Sequence, residues 1–274
     1  MRIDSHQHFW RYSNDQYPWI QGDWPIRRNY LPEDLEPELR DCSIDGCVAV
    51  QARQSLAESK WLLDLADRAP FIKGVVGWVD LRSPSLSDQL AELCPNPKFV
   101  GVRHVVQDEP DDNFMLRKDF QDGIAQLEGH GLAYDILIYS RHLPAAVELV
   151  KRFPQQRFVL DHLAKPMIRD GVLARWREQI RKLAQYPNVM GKVSGLVTEA
   201  RWNGWEPDDF KPYLDAVFED FGPDRLMFGS DWPVALLAAS YRQVYSLISE
   251  YVSGAAPDAA ANIFGLNAQK FYDL

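Results

Sequence analysis

The sequence predicts an α/β fold, a (β/α)8 barrel of the TIM type, built as a single domain over residues 1–274. Three observations predict it. Short apolar runs alternate with longer segments of helical period along the chain. Eight of those runs read as strands. The length suits one barrel, and a hydrophobic content of 46% is enough to fill its core.

The strand-like runs are 2–6, 46–51, 72–79, 99–104, 133–139, 157–162, 189–194 and 225–229. Most are rich in Val, Ile, Leu or aromatic residues, as parallel strands covered on both faces should be. Helical segments lie between them. Residues 55–69 open with Ser55-Leu56-Ala57-Glu58, which has the spacing of a capping box, and stop before Pro70. Residues 119–130 end at Gly131, and 143–153 end before Pro154. Helices over 173–184, 208–221, 239–253 and 258–272 complete the series. His130 falls in a last helical turn, where a cation suits the helix dipole.

An open doubly wound sheet is the structural alternative. It would carry a glycine-rich phosphate turn after its first strand, whereas this chain has Asp4-Ser5-His6-Gln7-His8 there.

A formal net charge of -9 argues against a nucleic-acid or anionic-membrane partner and points to a small-molecule substrate. The three cysteines, Cys42, Cys47 and Cys94, have neither disulfide-scaffold nor zinc-finger spacing. They read as reduced thiols of a cytoplasmic protein. No charged and apolar leader precedes the first strand, and no apolar stretch approaches the roughly 20 residues of a membrane span. A second copy of the chain is the expected protein partner.

The loop over 9–29 is long and aromatic, with Trp10, Tyr12, Tyr17, Trp19 and Trp24. In a barrel it would lie over the active site, so Trp24 is expected to touch substrate.

His6 and His8 end the first strand. Side chains two residues apart on a strand point the same way, so both imidazoles can converge on one point. They suit two ligands of a metal or two donors to a carbonyl oxygen. His162 ends the sixth strand and Asp231 follows the eighth. Barrel enzymes keep their catalytic groups at these strand ends. Asp231 is the expected general base toward water, and the imidazoles polarise a carbonyl with or without a metal.

Arg103 and His104, ending the fourth strand, are candidates for holding a substrate oxygen. An internal ion pair with Asp80 is the structural alternative for Arg103. Lys165, Gln51 and Trp78 also fall at strand ends and are expected to line the pocket, and Lys192 lies within the seventh strand. Phosphate-loop, dinucleotide, zincin and serine-esterase signatures are absent.

These residues resemble the amidohydrolase superfamily, whose pattern is HxH after strand one, His after strand six and Asp after strand eight. The resemblance spans the whole chain. Ile3-Asp4-Ser5-His6-Gln7-His8-Phe9-Trp10 is similar to the opening of the sugar-lactonase branch of the amidohydrolase 2 group. So are Gly101-Val102-Arg103-His104, Asp161-His162-Leu163-Ala164-Lys165-Pro166, Lys192-Val193-Ser194-Gly195-Leu196 and Gly229-Ser230-Asp231-Trp232-Pro233. That group includes L-fuconolactonase, L-rhamnonolactonase and, more distantly, 2-pyrone-4,6-dicarboxylate lactonase.

The resemblance implies hydrolysis of a sugar-derived lactone, with Asp231 as base and His6, His8 and His162 holding a metal or the carbonyl oxygen. The chain departs from the binuclear members, which carry a modified Lys or a Glu ending strand four and a His ending strand five. Arg103 and His104 stand at the first place, and 133–139 contains no His; His142, just beyond, is a poor substitute. One divalent ion, with zinc first, held by His6, His8, His162 and Asp231, or no required metal, are the two alternatives that remain. The competing activities are a metal-dependent decarboxylase of a small aromatic acid, for which Arg53 and Arg103 offer carboxylate partners, and a pyrone-dicarboxylate lactonase.

Overall fold

The computed structural model describes residues 1–274. Eight parallel strands follow one another in sequence order around a ring: β1 (Ile3–Gln7), β2 (Gly46–Val50), β3 (Ile72–Gly77), β4 (Phe99–Val105), β5 (Ala133–Leu137), β6 (Phe158–Leu160), β7 (Val189–Val193) and β8 (Leu226–Phe228). The ring closes beyond β8, where Gln7 and Trp232 form a parallel bridge. His8 N donates to Trp232 O at 2.7 Å and Asp231 N to His6 O at 2.8 Å. Closure therefore splices the β1 histidines directly to the segment that carries Asp231.

The helices between strands are α1 (Pro32–Asp41), α2 (Leu56–Arg68), α3 (Leu86–Leu93), α4 (Lys118–Gly129), α5 (Leu143–Arg152), α6 (Ala174–Ala184), α7 (Leu196–Glu199), α8 (Pro207–Asp220), α9 (Tyr241–Ala255) and α10 (Asn267–Tyr272). All eight expected strands form. Three helices were not expected. α1 carries Pro37 inside it, α3 spans only eight residues and α7 only four, so none shows a long uninterrupted helical period.

Two expectations are corrected. The Ser55 side chain makes no cap bond; Glu58 is fully buried and turns inward instead. The helix expected over 258–272 breaks into a 3-10 turn, a π turn at Asn262–Leu266 and α10. His130 does sit at the C-terminal end of α4.

Apolar residues fill two layers. The larger lies between the strands and the helices. The smaller lies within the ring, where Ile3, Val48, Val76, Val159 and Met227 meet Phe271 and Tyr272 of α10. α10 thus plugs one end of the barrel. The Tyr272 hydroxyl donates to Asp135 Oδ2 at 2.8 Å, and its ring lies 5.5 Å from Lys192 Nζ. Charge takes over from apolar packing at that level. No helix is long and apolar enough to cross a membrane.

Candidate active site

At the C-terminal strand ends, His6, His8, His162 and Asp231 come together, as the barrel prediction requires. His6 Nε2 lies 3.2 Å from His8 Nε2. Asp231 Oδ1 lies 3.3 Å from His8 Nε2 and 3.8 Å from both His6 Nε2 and His162 Nε2. All four residues are buried.

Local backbone builds this convergence. His162, Leu163, Ala164 and Lys165 are four consecutive non-glycine residues with φ of 50–59°, and Asp231 has φ 58°. Such left-handed residues cost free energy and cluster where geometry is over-determined by function. Glycine makes room for the rings. A Cβ at Gly195 (φ +62°) would lie 2.4 Å from His162 Nδ1, and one at Gly229 would lie 2.6 Å from His6 Cβ.

A hydrogen bond to a carbonyl fixes the tautomer of His8. Val50 O can only accept, so His8 Nδ1 carries the proton at 2.8 Å and Nε2 presents a lone pair. His162 Nδ1 pairs with Ser194 Oγ at 2.9 Å, again leaving Nε2 toward Asp231. His6 Nδ1 lies 3.3 Å from Asp161 Oδ1 and 3.2 Å from Lys192 Nζ. Arg103 Nη1 approaches His6 Nε2 at 3.3 Å, long for a hydrogen bond.

Burial pushes His162 down to about pKa 4 and His6 well below the usual imidazole range, so both rings are neutral near pH 7.

This donor set fits one divalent ion. Nε2 of His6 and of His8 and the Asp231 carboxylate face one another at 3.2–3.8 Å, and His162 Nε2 lies 3.8 Å from the same carboxylate oxygen. Acceptors so placed repel unless a cation lies between them. Ligand bonds of about 2.0–2.2 Å at tetrahedral angles separate donors by about 3.4 Å. Outer hydrogen bonds to the far nitrogens, as from Val50 and Ser194, are what orient metal-binding imidazoles.

Beneath the cluster lies a buried ionic network. Lys192 is fully buried and reaches Asp135 Oδ2 at 2.5 Å and Asp161 Oδ1 at 3.1 Å. Arg103 pairs with Asp161 Oδ2 at 3.0 Å, so the internal ion pair offered as its alternative does form, with Asp161 in place of Asp80. Burial would raise the Asp161 carboxyl, but Lys192, His6 and Arg103 hold it well below the ordinary range. Arg103 and Asp135 are register partners on β4 and β5, the two strands whose ends depart from the binuclear pattern.

A cavity of about 910 Å³ opens above the cluster, lined among others by His8, Arg103, His162, Lys165, Trp24 and Asp231. His6 lies beneath its floor. Gln51, Trp78 and His104 stand behind the wall. Gln51 is tied to the Arg103 backbone at 3.3 Å. His104 stacks on Phe114 and bonds Glu109 at 2.7 Å, while Trp78 Nε1 donates to its other nitrogen at 3.4 Å. His104 thereby holds Glu109 on the cavity rim. His142 accepts from Tyr139 N at 3.1 Å and faces Asp112.

Sequence reading missed Asp135, Asp161, Glu199 and Trp202. A lone Asp in the apolar run Ala133-Tyr134-Asp135-Ile136-Leu137 was a usable signal, and Asp161 adjoins His162. Glu199 and Trp202 belong to the loop after β7 and carry no periodic signal.

Glu58 is a hinge pin of the rim. Its carboxylate accepts from Ala52 N at 3.0 Å, Arg53 N at 2.9 Å and Tyr17 OH at 3.0 Å, joining the first loop to the loop after β2. Burial nevertheless pushes it up to about pKa 7. The folded state therefore binds more protons than the unfolded chain between roughly pH 4.5 and pH 7, and stability falls as pH rises through that window. Glu58→Gln should flatten that part of the stability curve, measured by urea unfolding from pH 5 to pH 8. An unchanged slope would exclude Glu58 as its source.

The amidohydrolase family model matches residues 3–274. L-fucono-1,5-lactonase of Burkholderia multivorans is 43% identical over 100% of this chain and 96% of its own length. L-fucono-1,5-lactonase of Burkholderia ambifaria is 39% identical with the same coverage. A crystal structure of a Burkholderia multivorans amidohydrolase with bound zinc superposes with a TM-score of 0.96 at 43% identity, covering 100% of this chain and 99% of that one. A 2,6-dihydroxybenzoate decarboxylase (12% identity, TM-score 0.69, 100% and 98% covered) and a structure of the 2-pyrone-4,6-dicarboxylic acid hydrolase type from Acinetobacter baumannii (15%, 0.81, 100% and 99%) share the fold alone.

Proposed function

This chain belongs to the amidohydrolase family, and on that premise we propose that it hydrolyses a sugar-derived lactone to the aldonic acid. It is a carboxylic-ester hydrolase, like the L-fucono-1,5-lactonases it resembles over its full length. The observation that carries the reading is the grouping of His6, His8 and Asp231, with His162 3.8 Å from the same carboxylate, beside a cavity sized for a small polar ring. The decarboxylase and pyrone-dicarboxylate alternatives rest on likeness of fold and are not favoured.

In this reading Asp231 takes a proton from water as the oxygen attacks the lactone carbonyl. The carbonyl carbon gains that C–O bond and then loses its bond to the ring oxygen. Asp231 returns the proton to the departing ring oxygen, and the new acid ionises to solvent. Arg103, on the cavity wall and anchored by Asp161, offers N–H groups to a substrate oxygen. Trp24 supplies an apolar face for the ring. His6, His8, His162 and Asp231 would hold one divalent ion, which when bound polarises the carbonyl as a Lewis acid. We assign zinc, because a set of three nitrogens and one oxygen suits it and the Burkholderia multivorans structure contains it.

The test is acid release, read by a pH indicator, from freshly prepared L-fuconolactone, L-rhamnonolactone, L-galactonolactone and a pyrone dicarboxylate. Turnover of one or more sugar lactones is expected, and none with any of them would sink the reading. Chelation that removes the ion, verified by elemental analysis, should abolish most turnover, and zinc should restore it. Full activity of verified metal-free protein would remove the ion from the mechanism.

A further inference from the structure

Charged side chains on the cavity wall fall into three groups. Arg53, Arg103, Glu109 and Asp231 are each engaged by a protein partner: Glu58, Asp161, His104 and His8. Asp15 and Asp108 have no ion-pair partner but stand exposed to solvent. Lys165 and Glu199 alone are half-buried, line the cavity and have no ion-pair or hydrogen-bonding partner for the charged group. Lys165 Nζ has only the Tyr139 ring, 5.2 Å away.

Half-burying a charge without a partner costs free energy, and the fold adds strain to do it. Lys165 closes the left-handed run that begins at His162. Glu199 ends α7, which is tied down on both sides: Thr198 Oγ1 donates to Gly195 O at 2.8 Å, and Trp202 Nε1 donates to Thr198 O at 3.0 Å. Trp202 meets Trp24 edge to face at 5.4 Å, so the same loop offers a carboxylate and half of an aromatic wall. Lys165 and Glu199 line the same cavity; burial raises the Glu199 carboxyl, Lys165 lowers it and Asp231 raises it.

A donor and an acceptor so arranged, beside an aromatic wall, match a ring carrying adjacent hydroxyls on one edge and C–H groups on the other. We propose that Lys165 and Glu199 form a hydroxyl-recognition subsite. Glu199 accepts hydrogen bonds from ring hydroxyls of the lactone, Lys165 donates to their oxygens, and Glu199 is a specificity-determining residue. This rests on the lactonase reading.

The experiment pairs each hydroxyl with each side chain. L-Fucono-1,5-lactone and its mono-deoxy analogues are assayed with wild type, Glu199→Ala, Glu199→Gln and Lys165→Met, and thermal unfolding of each variant is recorded. For at least one hydroxyl, removal should cost wild type about 10-fold or more in kcat/KM, carried mainly by KM, and cost Glu199→Ala almost nothing. Glu199→Gln, which keeps one acceptor, should fall between. Losses that are the same for every lactone, with or without a lowered Tm, or no loss at all, overturn the subsite while leaving lactone hydrolysis standing. A wild type that opens none of the lactones overturns both.

Discussion

Asp231→Asn should lower kcat for lactone opening by about 10²–10⁴-fold, the range a positioned general base supplies, with little change in the fold. The substitution is chosen for its backbone. Asp231 sits at φ 58°, a region that Asn, like Asp, enters more readily than other non-glycine residues. Its backbone bonds, from its own N–H to His6 O at 2.8 Å and from Ala235 N to its carbonyl at 2.9 Å, do not involve the side chain. What changes is the chemistry. An amide cannot take a proton from water, and it is a poor partner for a cation among His6, His8 and His162. Stopped pH-indicator kinetics, circular dichroism and metal content on one preparation would separate the outcomes. Activity within a few-fold of wild type would exclude Asp231 as the base.

Lys192→Met should cost about 3–5 kcal/mol of stability, the usual penalty for breaking a buried ion pair from one side, and lower Tm on the order of 10 °C. Lys192 is fully buried between Asp135 and Asp161. Asp161 would keep Arg103, but Asp135 would keep only the Tyr272 hydroxyl. Asp135 is already pushed up to about pKa 6, chiefly by burial. Without the ammonium it would rise further, so the deficit should be largest above pH 6 and shrink toward pH 5 as the carboxyl protonates. Adding Asp135→Asn should recover much of the loss, because no buried charge is then left alone. Equal unfolding midpoints for wild type and Lys192→Met at pH 8 would show that the network contributes no net stability.

The four residues of the cluster were legible because each is a polar residue at or just beyond the end of an apolar strand-like run, where it stands out from the run itself. Their roles remained open in the sequence because a histidine at a strand end is equally suited to packing. The wall was harder. Lys165 and Trp24 were expected there and line the cavity, whereas Gln51, Trp78 and His104 stand behind it. His104 follows Arg103 on the same strand, so the alternation that turns Arg103 inward turns His104 outward onto Phe114 and Phe120.

The sequence by itself determined the barrel, its strand order and the residues at its active end, because these follow from local period and from chain order. Tertiary structure alone decided that Arg103 pairs with Asp161, that Glu58 leaves its helix cap to join two loops, and that Lys165 and Glu199 face one cavity. Each of those outcomes depends on which groups burial brings together from strands and loops far apart in the chain. The free energy of a charge depends on that neighbourhood far more than on its sequence neighbours.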